Sequence, residues 1–295
     1  LLYLSKNAYD YDYSGSIRNM ISSVNINERD KNGNTALINI AIGKEDKNRL
    51  KKIRAVISGR ANVNIQNNEG YTALMCIASD GDGATIRALI SAKSDLDVED
   101  RDGNTALIYA AQNNNVGGVK AIIRGKPNLN KQNKNGNNAL MIASENGNEE
   151  LVRSLISAKA DLNRQDKDGN TALMYSTFNN KIALVNIFIT AKADLNIQNN
   201  IGATALIFAA MNGYDRIVRT LIDAKADINI KDYYGNTALM YAAGRGNDKV
   251  IRILNRNGSN INTQNRVGYT ALFFAAVNGY EQVVQMLIEL NANVD

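Results

Sequence analysis

Two short apolar blocks alternate with polar segments along the chain. Residues 166–198 show the pattern once through: Asp-Lys-Asp-Gly-Asn, then TALMYSTF, then Asn-Asn-Lys, then IALVNIFITA, then KADLNIQ. In the second block Ile182, Leu184, Val185, Phe188 and Ile189 fall largely three, four and seven residues apart, the spacing that puts one apolar stripe on a helix. In the first, Thr171 is placed as an N-cap, its hydroxyl able to accept from a backbone N–H one turn on, and Ala172, Leu173 and Tyr175 follow as helix formers or packers. A turn at Asn179 and Asn180 separates the two helices. Such a pair cannot bury its stripe alone, so its stability has to come from a second pair stacked against it.

The pattern recurs. Glycines stand at Gly33, Gly70, Gly103, Gly136, Gly169, Gly202, Gly235 and Gly268, spaced by 37 residues once and by 33 thereafter. Two residues after each comes Thr-Ala-Leu, with Asn138 in place of threonine once. Three residues before each stands an aspartate or asparagine: Asp30, Asn67, Asp100, Asn133, Asp166, Asn199, Asp232 and Asn265. These side chains can bond their own backbone two residues on, and glycine tolerates positive φ, so the segment reads as a tight hairpin-like projection. No strand pattern precedes the glycines, which separates them from phosphate-binding loops.

The stretches GNTALMYAA (235–243) and GRGNDKVIRIL (244–254) resemble the ankyrin repeat. The resemblance covers nearly the whole chain and implies an all-α fold, an ankyrin-repeat solenoid of stacked helix-turn-helix units with projecting hairpin-like loops. It frames a single array over 1–295: a partial N-terminal repeat, 1–29, then repeats 30–66, 67–99, 100–132, 133–165, 166–198, 199–231, 232–264 and 265–295. Three departures from the family pattern are systematic. Alanine fills the proline slot of the family's TPLH motif, and Ile38, Met75, Ile108, Met141, Met174, Ile207, Met240 and Phe273 fill the histidine slot, exchanging a polar role for packing. At the end of the second helix, where the family often has a left-handed glycine, stand Lys93, Lys126, Lys159, Lys192 and Lys225; positive φ there costs each lysine on the order of 1 kcal/mol, partly offset by the helix dipole.

At the ends of the array, LLYLSKNA (1–8) matches the end of a first helix and SIRNMISS (16–23) a second, so the chain is expected to start inside a repeat, through processing or trimming. VVQMLIEL (283–290) completes a last second helix with no more polar terminal unit. Met286, Leu287 and Leu290 are therefore expected to be covered by further sequence, a partner or self-association through this end. The interval of 37 places four extra charged residues around Gly43 to Asn48, read as a loop extension, the competing reading being a partner-specific contact.

Composition narrows the chemistry. The chain has no histidine, which removes Ser-His-Asp and Cys-His constellations, HExxH zinc sites and any imidazole base. Asp161, Asp194 and Asp227 recur at one repeat position, as scaffold residues do. Cys76 is the sole cysteine, excluding an intrachain disulfide and leaving the compartment open; its counterparts Asn39, Tyr109, Ile142, Tyr175, Phe208, Tyr241 and Phe274 mark it as a packing residue. No catalytic residue, metal site or cofactor is expected, and the chain is read as no enzyme. Basic residues exceed acidic by 34 to 29, a thin excess that argues against nucleic acid, and the run Arg49, Lys51, Lys52, Arg54 reads as a solvated helix face. No apolar run approaches the ~20 residues of a transmembrane helix.

The resemblance implies a partner-binding concave face made by the projecting turns and first helices. Most positions there are polar, as at Arg101, Asp102, Gln112, Lys134, Asn135, Asn146, Lys167, Asp168 and Asn170. Toward the C-terminus they become apolar or aromatic: Phe178, Ile201, Met211, Tyr233, Tyr234, Val267, Tyr269 and Val277. Exposed residues of this kind mark interfaces; the competing reading is packing against adjacent turns. A glutamine row, Gln66, Gln132, Gln165, Gln198 and Gln264, reads as structural. The expected function is a non-catalytic protein-interaction scaffold whose partner is a protein, the alternative being an ankyrin region trimmed from a larger enzyme, channel or secreted effector.

Overall fold

A computed structural model describes residues 25–43, 48–80 and 82–294. The expected partial repeat at 1–24, and residues 44–47 within the expected loop extension, lie outside the described residues. The chain divides into two compact units, Leu1–Asp161 and Leu162–Asp295. Among the described residues the regular elements are sixteen α-helices, with no strand.

The first unit holds α1 (Ala36–Ile42), α2 (Arg49–Ser58), α3 (Ala73–Asp80), α4 (Gly83–Ser91), α5 (Ala106–Gln112), α6 (Val116–Arg124), α7 (Ala139–Glu145) and α8 (Glu149–Ser157). The second holds α9 (Ala172–Phe178), α10 (Ile182–Thr190), α11 (Ala205–Met211), α12 (Asp215–Asp223), α13 (Ala238–Gly244), α14 (Asp248–Arg256), α15 (Ala271–Val277) and α16 (Glu281–Glu289). Within each unit first helices pack on first helices (α1 on α3, α3 on α5, α5 on α7; α9 on α11, α11 on α13, α13 on α15), and second helices run as a parallel layer behind them.

Each first helix begins where the sequence places its cap. The Thr171 hydroxyl accepts from the Met174 N–H at 3.3 Å, and Asn138 does the same for Met141 at 2.9 Å. The leucine of each Thr-Ala-Leu is buried from Leu37 to Leu239, and so is the residue in the histidine slot from Ile38 to Met240, so apolar packing has replaced the polar contact there. On α10 the buried stripe is Leu184, Val185, Ile187 and Phe188, with Ile187 taking the place expected for Ile189. The five lysines after the second helices hold φ between 60° and 72°, joined in the same register by Arg60 and Asn291.

Two readings of the sequence change. Arg49 is buried and not part of a solvated face: its guanidinium donates to the Gly43 carbonyl at 2.7 Å and pairs with Asp80 at 3.2 Å, closing the first repeat onto the next. Lys51 and Arg54 on the same helix are exposed. Met286 and Leu287, expected to need a cover, are buried, because the α16 stripe faces its own repeat. The exposed apolar side chains of that last repeat are instead Phe273, Tyr280, Ile288 and Val294, beside the predicted Val267, Tyr269 and Val277.

Candidate functional site

The hairpins that project from the helix pairs are held by three sets of hydrogen bonds, and these determine which side chains are left for other work. The first set closes each turn. Asp166 Oδ1 accepts from the Asp168 and Asn170 N–H groups at 2.9 and 2.8 Å, while Gly169, at φ 78°, approaches the next hairpin so closely that an added Cβ would lie 2.7 Å from Asn200 N.

The second set ties neighbouring hairpins together at their bases. Gln66 Nε2 donates to the carbonyls of Gly70 and Glu99, and Gln198 Nε2 to those of Gly202 and Lys231, at 2.7 and 2.9 Å in each case. Gln165 does the same to Gly169 and Gln198, and Gln132 reaches Gly136. Arg29 stands in for glutamine in the first hairpin, donating to Gly33 and Gln66. Asp194 belongs to a similar ladder: its N–H donates to Asn163 Oδ1 and its carboxylate accepts from the Asn196 N–H. These glutamines and aspartates are committed to the scaffold.

The third set is an alternation. In the hairpins opened by aspartate, the second carboxylate oxygen accepts from the residue nine positions on: Tyr109 to Asp100, Tyr175 to Asp166 at 2.5 Å, Tyr241 to Asp232 at 2.5 Å, and Asn39 to Asp30 at 3.1 Å. In the hairpins opened by asparagine, the side-chain NH2 donates backwards to the preceding repeat: Asn67 to Asn34, Asn133 to Asn104, Asn199 to Asn170 and Asn265 to Asn236, at 2.8 to 3.0 Å. The residue nine positions on is then apolar or nearly so: Cys76, Ile142, Phe208, Phe274. Burial and the bond to Asp100 push the Tyr109 hydroxyl well above its ordinary pKa, and burial followed by the bond to Asp232 pushes Tyr241 up to about 12. Burial likewise pushes the Cys76 thiol up to about 12. Cys76 is half-buried, but a thiol held neutral is a poor nucleophile. Among the described residues no group of three or more His, Cys, Asp or Glu is placed to hold a metal ion, and no helix is long and apolar enough to cross a membrane.

Of the eight residues predicted to contact a partner, all lie in the second unit; seven are between 38% and 69% exposed, and Met211 is half-buried. Phe178, at the end of α9, meets Phe208 edge-on at 6.1 Å over a groove of about 320 Å³ that is also lined by Asp168, Met174 and Tyr175. Met211 and Val277 end their first helices in the same register as Phe178, with Gly244 between them. Ile201, Tyr234 and Val267 occupy the residue before the glycine, at the hairpin apex. They are neighbours, since Tyr233 N–H donates to the Ile201 carbonyl at 3.1 Å and Arg266 N–H to that of Tyr234 at 3.0 Å. Tyr269 is different: its ring stacks on Phe273 at 3.7 Å and meets Phe274 edge-on, so packing occupies it. Phe208, which lines the groove beside Phe178, was not singled out from the sequence; its register, shared with Cys76, marks it only as a helix residue.

The family model for ankyrin repeats (3 copies) matches in overlapping segments 44–131, 116–199, 140–232, 177–265 and 206–295. A search of curated proteins gives no match to this chain. Ankyrin repeats are in general protein–protein interaction modules, and proteins built from them are typically non-catalytic. The eight helix pairs with their alanine-for-proline hairpins are ankyrin repeats, and the chain belongs to the ankyrin-repeat family.

Proposed function

We propose that this chain is a non-catalytic scaffold that binds a partner protein through the concave side of its repeats, on the hairpin apices and first-helix ends between residues 166 and 295. One observation carries the reading. The hairpin apices of the first unit are Asn32, Glu69, Asp102 and Asn135, and that of the first repeat in the second unit is Asp168; the next three are Ile201, Tyr234 and Val267, all exposed. A requirement of the fold would recur in every repeat, since every hairpin closes by the same bonds, whereas a change confined to three successive apices answers to something outside the chain. Exposed aromatic and aliphatic side chains grouped in this way fit an interface core.

The test separates interface from packing. Tyr233→Ser with Tyr234→Ser is expected to leave the melting temperature within about 2 °C of the parent, as for surface changes, while abolishing partner capture by crosslinking in the source cell. Tyr269→Ser is expected to lower the melting temperature, because it removes a stacked ring. Unchanged capture by the double variant, with lost stability, would sink the proposal.

A further inference from the structure

Beside the apolar apices lies a groove of about 420 Å³ between the hairpins of the last two repeats, lined among others by Lys231, Tyr233, Gln264 and Arg266. Its one carboxylate, Asp232, is buried and saturated: it accepts from the Tyr241 hydroxyl at 2.5 Å and from the Tyr234 and Asn236 N–H groups at 2.9 and 2.7 Å. The two cations have no such commitment. Lys231 Nζ reaches only the Gln264 carbonyl, at 3.2 Å, and neither Lys231 nor Arg266 forms an ion pair among the described residues. Both are exposed. Two hairpin cations of the first unit are neutralised, Arg101 at 3.5 Å from Glu69 and Lys131 at 2.5 Å from Glu99; Lys231 and Arg266 differ from those two in sharing one groove without a carboxylate partner.

We infer that the partner segment is acidic and apolar at once: an unfolded or helical stretch of protein whose aliphatic or aromatic side chains rest on Ile201, Tyr234 and Val267 while its carboxylates enter the groove to meet Lys231 and Arg266. The inference rests on the scaffold reading above and adds the chemistry of the partner. Apolar contact supplies the desolvated centre and the paired charges supply register and on-rate. The same arrangement discriminates, because the apices Asp102 and Asp168 carry exposed carboxylates that repel an acidic segment.

Selection of a random 12-residue peptide library on phage against the whole chain tests this. Enriched sequences are expected to combine Asp or Glu with Tyr, Phe, Leu or Ile. A synthetic consensus peptide is expected to lose at least about tenfold in affinity on Lys231→Glu with Arg266→Glu, and a similar factor on Tyr234→Ser with Val267→Ser. Replacing the peptide's carboxylates by lysine is expected to restore binding to the charge-reversed variant, and circular dichroism checks that each variant keeps its helices. Peptides that lack carboxylates, or that bind the charge-reversed variant equally well, overturn the acidic partner and leave the scaffold reading standing. A selection that yields no peptide overturns the inference, as does preferential binding of phosphatidylserine vesicles or single-stranded RNA. Peptides indifferent to Tyr234→Ser with Val267→Ser overturn both readings.

Discussion

Aspartate and asparagine differ in whether the second side-chain atom accepts or donates a hydrogen bond, and the hairpins use that difference in strict turn. Asn133→Asp replaces the NH2 that reaches Asn104 with an oxygen facing an oxygen; urea unfolding is expected to show a loss of about 1–3 kcal/mol. The acidic and amidic openings were all visible in the sequence, but the partner nine residues on could not be paired with them by inspection, because only the folded hairpin lays the tyrosine of a helix across the carboxylate. Cys76 was legible as a packing residue from its seven counterparts. With its pKa raised from 9.0 to about 12, thiolate is scarcer by about a thousandfold near neutral pH, so a chromogenic disulfide at pH 8 should label it far more slowly in the folded chain than in the unfolded one. The sign for stability follows: the folded state keeps the thiol proton, so this contribution is intact below pH 9 and is lost as pH rises through about 12.

At the scale of the element, helix starts were legible because a threonine or asparagine cap is a local signal, and helix ends were legible as a register of lysines. Those lysines sit in the left-handed region, with Lys159 at φ 72°. Lys159→Gly removes the Cβ clash at the cost of a more flexible unfolded chain, and a net gain of about 0.5–1 kcal/mol is expected in thermal unfolding. Less legible was the role of Arg49, whose acceptor Asp80 lies 31 residues away at the end of the next first helix. A charge run read along one helix cannot show which of its members is covered by another. The apices Ile201, Tyr234 and Val267 stood out in the sequence because they break a repeat, whereas Tyr269 and Met211 break it equally and are more covered, Tyr269 stacking on Phe273 while 38% exposed and Met211 half-buried, which depends on rings and helix ends the repeat frame does not position.

For the molecule as a whole, the alternation makes two repeats, and not one, the unit of construction: an aspartate hairpin closed on its own tyrosine, then an asparagine hairpin that reaches back to it. Excising residues 199–231 would bring Asp232 against Asn170, where Asn199 donates in the intact chain. Asp232→Asn is therefore expected to destabilise the intact protein, by breaking the bond from Tyr241, and to cost the shortened one about 1–2 kcal/mol less, because its new NH2 can donate to Asn170; equal losses in both backgrounds would refute the pairing. Heredity inherits this arithmetic. A slipped copy or an unequal crossover that adds or drops 33 residues leaves two like openings in succession, whereas one that adds or drops 66 leaves the order intact, so lineages of this gene should differ in length by even numbers of repeats.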